Sequence, residues 1–412
     1  MTRPLRILTV APLPPEVSGG IEEYAYSVIR AQRAEGNVVT IATTGGPDAG
    51  ATDGGWAPVM SLESKMILDR PIVTDPQAYL RLWRAVRSSD VTHLHMPFPL
   101  VEVFVAFAAR VAGRPLVVTY HMDAVVDESI PGRTTRKIHR WIERVYALVS
   151  ARPTVELASR VCTNTAAYAR ESRILQHVPE KVLPVHQGID QRKFQCLDPQ
   201  RARALRERYL GGTYARLAVF VGRFVPYKGI EYLIGAAERL RDQPVKFVLG
   251  GKGPLWDEVD REVRARALTN VELIGFVPDD DLANLFYAAD VVVSPSVSML
   301  ESTPITLLYA TALGTRVIGT SIGGTEESIP SDGARGAIVA PRDVDELTHA
   351  LRTMLSQSGQ HYPAQVPRFW SDVAADYTRV MLAATSESER SVAHVLERPA
   401  EIRSEFSTGK TK

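Results

Sequence analysis

Short apolar runs alternate with amphipathic stretches along nearly the whole chain, and this alternation constrains the fold more than any other feature. Apolar runs of about four to eight residues suit buried strands, and longer stretches with a 3.6-residue period suit helices. Strand, helix and strand in repeated succession imply parallel sheets with crossover helices. In the first half, residues 6–11, 38–43, 91–96, 116–121, 160–163 and 182–185 read as strands, with helices at 21–35, 79–86 and 101–112. After Gly188-Ile189-Asp190, a charged helical stretch at 198–209 and a Gly211-Gly212 break interrupt the series. It resumes with strands at 217–221, 245–250, 271–274, 291–294 and 316–319, separated by helices at 230–241, 255–267, 281–289 and 306–313. A chain of 412 residues exceeds what one hydrophobic core usually supports. The expected fold class is therefore α/β, with two Rossmann-like doubly wound domains in tandem. Residues 45–55, rich in Gly, Asp, Ala and Thr, read as a long mobile loop, and the polar tail beyond residue 384 reads as disordered.

Charge and cysteine content exclude several classes of function. The net charge is +1, so no overall field points to nucleic acid. No apolar run approaches the roughly 20 residues of a membrane span. The N-terminus enters a strand with no small-residue cleavage site, so no signal peptide is expected. Two cysteines, Cys162 and Cys196, build neither a disulfide framework nor a thiolate metal site. The cytoplasm is the expected compartment.

Candidate chemistry gathers at the carboxyl ends of strands, the ligand-binding edge of parallel sheets. The strand at 217–221 runs into Gly222-Arg223-Phe224-Val225-Pro226-Tyr227-Lys228-Gly229. Arg223 offers a bidentate fork and Lys228 a compact charge, a pair suited to a diphosphate; a solvated basic turn explains the same residues. The next strand ends in Gly250-Gly251-Lys252-Gly253-Pro254, where small residues admit a ligand or simply a tight turn. Ser18-Gly19-Gly20 opens the first helix, whose N–H groups face an anion or are capped by Ser18. His121 closes the strand at 116–121, where it can hydrogen-bond a substrate hydroxyl, whereas His93 and His95 on the preceding strand read as core residues. Glu301 stands just before the helix at 306–313, as a sugar-hydroxyl acceptor or a dipole-stabilised carboxylate. No His, Asp, Glu or Cys cluster has metal-ligand spacing, so no metal and no cofactor are expected.

Taken in order, these motifs resemble family 4 of the glycosyltransferases, the retaining group with the two-domain GT-B fold. Further matching motifs are Gln187-Gly188-Ile189-Asp190, Gly275-Phe276-Val277, Glu301-Ser302-Thr303-Pro304 and Ala312-Leu313-Gly314-Thr315. The resemblance implies an N-terminal acceptor domain at 1–190 and a nucleotide-sugar donor domain at 191–368 facing it across a cleft. It also implies a C-terminal helix at 369–384 that crosses back to the first domain, and residues 385–412 are left as the tail. Arg223 and Lys228 then hold the donor diphosphate, and Gly19 and Gly20 let the first-domain backbone approach it. His121 meets the transferred sugar, and Glu301 with the backbone of Ser302, Thr303 and Ile305 binds sugar hydroxyls. Gly251, Phe276 and Val277 border the nucleotide. A UDP-sugar is the favoured donor and GDP-mannose the other, with an unspecified hydroxyl acceptor and no protein nucleophile.

One position departs from the family pattern. Tyr309 stands in the register where the family usually has a second Glu, which meets the nucleotide ribose, and Pro304 replaces the commoner Gly. The alternative reading is a non-catalytic GT-B protein that binds a nucleotide-sugar or a partner; an epimerase on the same fold lacks the carboxylates it needs. Residues 133–152 place Arg136, Lys137, Arg140 and Arg144 beside Ile138, Trp141, Ile142, Val145 and Leu148. Such a helix suits an anionic membrane surface, but an apolar stripe packed inward is the favoured reading.

Overall fold

The computed structural model of the protein describes residues 3–15, 19–45, 59–67, 70–123, 133–357, 361–363 and 367–386. Two units divide it: Met1–Gly188 with Trp370–Lys412, and Ile189–Phe369. Residues 46–55 of the expected mobile loop and 387–412 of the expected tail lie outside the described residues.

In the first unit, β1 (Arg6–Val10), β2 (Val38–Thr44) and β3 (Val59–Leu62) precede an antiparallel hairpin of β4 (Ser64–Ile67) and β5 (Arg70–Val73). β6 (Val91–Met96), β7 (Leu116–Tyr120), β8 (Arg160–Thr163) and β9 (Val182–Pro184) follow. Apart from the hairpin, these form one parallel sheet in the order β3-β2-β1-β6-β7-β8-β9. Every residue of β6 and β7 is buried, as expected of strands covered on both faces. In the second unit, β10 (Arg216–Val221), β11 (Val245–Gly250), β12 (Val271–Gly275), β13 (Val291–Ser294), β14 (Arg316–Thr320) and β15 (Gly336–Val339) form a parallel sheet in the order β12-β11-β10-β13-β14-β15. Along β10, Ala218 and Phe220 enter the core under the helices Ile230–Arg239 and Val344–Ser356. Leu217 and Val219, on the opposite face, enter the core under Asp279–Ala288 and Ile305–Ala312.

The sequence reading lacks β3, the β4–β5 hairpin, β15 and the helix Val344–Ser356. That helix carries a readable signal: Asp343 Oδ1 accepts from the Glu346 N–H at 2.9 Å, an N-cap in the sense of sequence as well as structure. The helix Arg133–Tyr146 corrects a second expectation. Ile142 and Val145 are half-buried, but Ile138, Trp141 and Leu148 are exposed alongside Lys137, Arg140 and Arg144. The apolar stripe is wider than the surface it packs on, so only part of it turns inward.

The helix Trp370–Thr385 lies on the helix Gly20–Ala34, and a polar network runs beneath the two. Tyr24 and Tyr377 hydroxyls are 3.1 Å apart, Tyr377 Oη is 2.7 Å from Thr119 Oγ1, and Thr119 Oγ1 is 2.7 Å from His93 Nε2. His95, two residues along β6 and so on the same face, meets His121 with Nδ1 3.0 Å from its Nε2. Burial holds His93 and His121 down to about 3, with the His121 ring adding to the shift at His93, and it holds His95 well below the usual imidazole range. All three rings are neutral at pH 7. The unfolded chain takes up protons near pH 6.5 that the folded chain refuses, so their contribution is complete above that pH and lost as the pH falls towards 3. Each ring costs up to about 1.4 kcal/mol per pH unit over that interval. Thermal scans between pH 7.5 and 5 should show the first unit's midpoint falling, and less steeply in His93→Gln; a flat profile contradicts the assignment.

Candidate functional site

The strand order of the second sheet reverses between β10 and β13, the position at which doubly wound sheets open a ligand crevice at their carboxyl edge. Arg223 and Lys228 follow β10, and Glu301 follows β13. Lys228 ends a single turn, Pro226–Lys228, and its ammonium pairs with Glu301 Oε2. Glu301 Oε2 also accepts from Ser296 Oγ at 3.3 Å. The backbone ties the two loops together, the Val297 N–H donating to the Tyr227 carbonyl at 2.8 Å, and the Thr320 side chain at the end of β14 holds the second loop, its Oγ1 donating to the Ser296 carbonyl at 2.6 Å. Burial pulls the Lys228 ammonium towards neutrality, but Glu301 and Tyr227 more than offset this and its pKa ends raised. Lys228 is therefore a fixed cation. Arg223 is exposed and, among the described residues, makes no ion pair.

Two glycines permit this arrangement. Gly229, at φ +63°, would carry a Cβ 2.2 Å from the Pro295 carbonyl oxygen, so any side chain there would separate the β10 and β13 loops. Gly251, at φ +125°, would carry one 1.8 Å from the Gly222 carbonyl oxygen. Its N–H donates to the Gly275 carbonyl at 2.6 Å, while the Gly222 N–H donates to the Gly250 carbonyl at 3.0 Å. The ends of β10, β11 and β12 are thus laced together, which brings Gly251 beside the cationic loop. Phe276, just past β12, is 71% exposed, and with Val277 it lines an open hollow of about 370 Å3 shared with Tyr209, Ile274 and Leu285. Ser302 and Thr303 lead from Glu301 into the helix Ile305–Ala312, which begins at the predicted Ile305.

Tyr309 lies on that helix but is only 2% exposed, and its hydroxyl accepts from the Asp190 N–H at 2.8 Å. From the sequence, Asp190 is legible only as part of the junction motif, and neither its bond to Tyr309 nor that of Ser296 to Glu301 is foreseen. The Ser294-x-Ser296 alternation at the end of β13 is the signal that points to the latter. In the first unit, His121 is 6% exposed and stacked on His95 at a ring distance of 5.3 Å. Gly19 and Gly20 start the helix Gly20–Ala34, where the Glu22 carboxylate lies over Gly19: a Cβ there would be 2.1 Å from Oε2. Ser18 lies outside the described residues.

The hydroxyl of Tyr309 holds the start of the second unit. Tyr309→Phe removes the acceptor for the Asp190 N–H and should lower the second unit's unfolding free energy by about 0.5–1.5 kcal/mol. Urea titration followed by fluorescence measures it; an unchanged midpoint contradicts this role.

Comparison with known proteins agrees with this geometry. The family model for Glycosyltransferase Family 4 matches residues 18–193, and that for Glycosyl transferases group 1 matches residues 215–357. O-antigen chain mannosyltransferase C of Escherichia coli is 28% identical over 346 residues, covering 82% of this chain and 85% of the relative. D-rhamnosyltransferase WbpZ of Pseudomonas aeruginosa is 28% identical over 295 residues, covering 72% and 70% respectively. Among solved structures, Anabaena Alr3699/HepE in complex with UDP and glucose superposes with a TM-score of 0.65 at 17% identity, covering 97% of this chain and all of that one. WaaG, a glycosyltransferase involved in lipopolysaccharide biosynthesis, superposes with a TM-score of 0.60 at 16% identity, covering 96% and 100%. The two family models in tandem, the two parallel sheets and the full-length likeness place this chain in family 4 of the glycosyltransferases, with the GT-B fold.

Proposed function

We propose that this chain transfers a hexose from a nucleotide-sugar, a UDP-sugar foremost, to a hydroxyl acceptor with retention of configuration and without a metal. The observation that carries this reading is the second unit's carboxyl edge, which joins a fixed cation, Lys228, to the Glu301 carboxylate beside the uncommitted Arg223. A diphosphate brought to that edge meets two positive charges, and its presence replaces Glu301 as the counter-charge of Lys228. The Glu301 oxygens are then released to sugar hydroxyls. The bond from the anomeric carbon to the phosphate oxygen breaks as the acceptor oxygen attacks from the same face. The departing phosphate takes the acceptor's proton, leaving a glycoside and a nucleoside diphosphate. Arg223 and Lys228 stabilise the charge on that leaving group. A UDP-bound structural relative and relatives named for mannosyl and rhamnosyl transfer support this choice of chemistry. Gly251, Phe276 and Val277 border the nucleotide in this reading. The bond from the Tyr309 hydroxyl to Asp190 supports a packing role for that side chain over a ribose contact.

Donor turnover, measured throughout in excess chelator, tests the reading. Wild-type protein should release nucleoside diphosphate from one member of a nucleotide-sugar panel. Arg223→Ala and Lys228→Ala should each lower that rate by roughly 100-fold, as when a preorganised charge contact is lost. A requirement for added metal, or near-normal rates in both variants, refutes the proposed chemistry. Binding without any turnover points instead to a non-catalytic protein.

Exposed Ile138, Trp141 and Leu148 beside Lys137, Arg140 and Arg144 support an acceptor met at an anionic membrane surface. Wild-type protein should sediment with phosphatidylglycerol vesicles, and Trp141→Glu should cut the bound fraction by about fivefold or more while leaving donor hydrolysis unchanged. Wild-type protein that stays in the supernatant refutes it.

A further inference from the structure

Three imidazoles meet under the helix Trp370–Thr385, and the partners of their nitrogens determine where each proton sits. β6 and β7 are parallel neighbours with His95 opposite Thr119, and the His121 N–H continues the ladder by donating to the Met96 carbonyl at 3.3 Å. His95 Nδ1 and His121 Nε2 are consequently 3.0 Å apart, with the two rings 17° from parallel. Both rings are neutral, so each carries one N–H and one lone pair, and one of the two facing nitrogens must donate. The other nitrogen of His95, Nε2, is buried and has no partner. If His95 accepted at Nδ1, its proton would stand on Nε2 as an orphaned buried donor. A buried N–H without an acceptor is rarer and costlier than an unused lone pair. His95 therefore donates from Nδ1 to His121 Nε2.

His93 obeys the same rule. Its Nδ1 is buried without a partner, and its Nε2 lies 2.7 Å from Thr119 Oγ1, so the proton sits on Nε2. Thr119 in turn donates its hydroxyl hydrogen bond to Tyr377 Oη, 2.7 Å away. With Nε2 of His121 occupied as an acceptor, the single proton of that ring belongs on Nδ1. Among the described residues, no atom of His121 is buried without a partner, so Nδ1 is not sealed in the core.

We propose that His95 is a positioning residue that fixes the His121 imidazole with its proton on Nδ1, making His121 a hydrogen-bond donor to a ligand oxygen. A free histidine in water favours the opposite tautomer, so the protein imposes this one. The lone pair that a general base would need is committed to His95, which leaves His121 to recognise an oxygen acceptor such as a sugar hydroxyl. The identity of that ligand rests on the glycosyltransferase reading; the position of the proton does not.

Long-range 1H–15N correlation spectra of the histidine-labelled full chain at pH 7 test the proposal directly, with His121 assigned by loss of its signals in His121→Gln. The expected result is a protonated Nδ1 and a bare Nε2 on His121; a proton on Nε2 overturns the proposal. His95→Asn keeps an amide donor near the place of Nδ1 and should preserve both the tautomer and kcat. His95→Leu should shift the proton to Nε2 and lower kcat by about tenfold, the size expected for one hydrogen bond, with KM little changed. A switched tautomer with unaltered kcat overturns the donor role alone. Absence of transfer by the wild type defeats the functional reading while the spectra still decide the tautomer.

Discussion

A parallel sheet returns its chain through a crossover after every strand, so all the loops that leave the carboxyl ends fall on one edge. The candidate site of the second unit depends on that constraint. Lys228 and Glu301 are 73 residues apart in sequence yet share an ion pair, because β10 and β13 are adjacent where the strand order reverses. The lacing of Gly222, Gly250, Gly251 and Gly275 by backbone hydrogen bonds extends the same edge to the end of β12. Side chains at three of these positions are excluded by backbone or packed side chains within about 3 Å, so the edge is built of backbone with cations set into it.

The ion pair is poorly explained as a source of stability. Both partners are mostly buried, with side-chain exposures of 14% and 11%. Desolvating two charges offsets most of their attraction, and a buried pair is often no better than packed apolar residues. Its value is instead that it holds Lys228 charged against the pull of burial, with Ser296 fixing the carboxylate. A ligand that supplies its own negative charge takes over as counter-charge at a cation that is already held in place.

How far the sequence reveals this depends on range. Largely buried strands such as β6 and β11 are apolar-rich runs bounded by turn residues, and their limits are read to the residue despite His93, His95 and Lys246 within them. Short elements with partly exposed residues, such as β3 and β15, lack that signal. The site residues were legible as residue types at strand ends, and Arg223, Lys228, Glu301 and Gly251 fall on one edge as that argument requires. The pairings they enter were not legible. Ser296 and Asp190 act through contacts set by loop geometry, and the spacing of residues on one strand says nothing about what faces them from another. The helix Arg133–Tyr146 shows a related limit: period reveals an apolar stripe, but only the neighbouring surface decides how much of it is covered.

The first unit's buried histidines present the converse problem, since packing does not demand them. Leu94 and Met96 lie on the same strand as His93 and His95, and apolar side chains would fill that space without leaving nitrogens unpaired. Neutral buried imidazoles lose stability on acidification, and two of their nitrogens already lack partners. Such a cost makes sense only if the network performs a task that apolar residues cannot. A chain of hydroxyls from Tyr24 through Tyr377 and Thr119 orients the His93 ring, whose centroid lies 4.3 Å from that of His95 in the pair His95–His121. His121 is the member of this cluster with no sealed, unpartnered atom, at the carboxyl end of β7 where ligands meet such sheets. A directed proton there is something that only a polar core can supply.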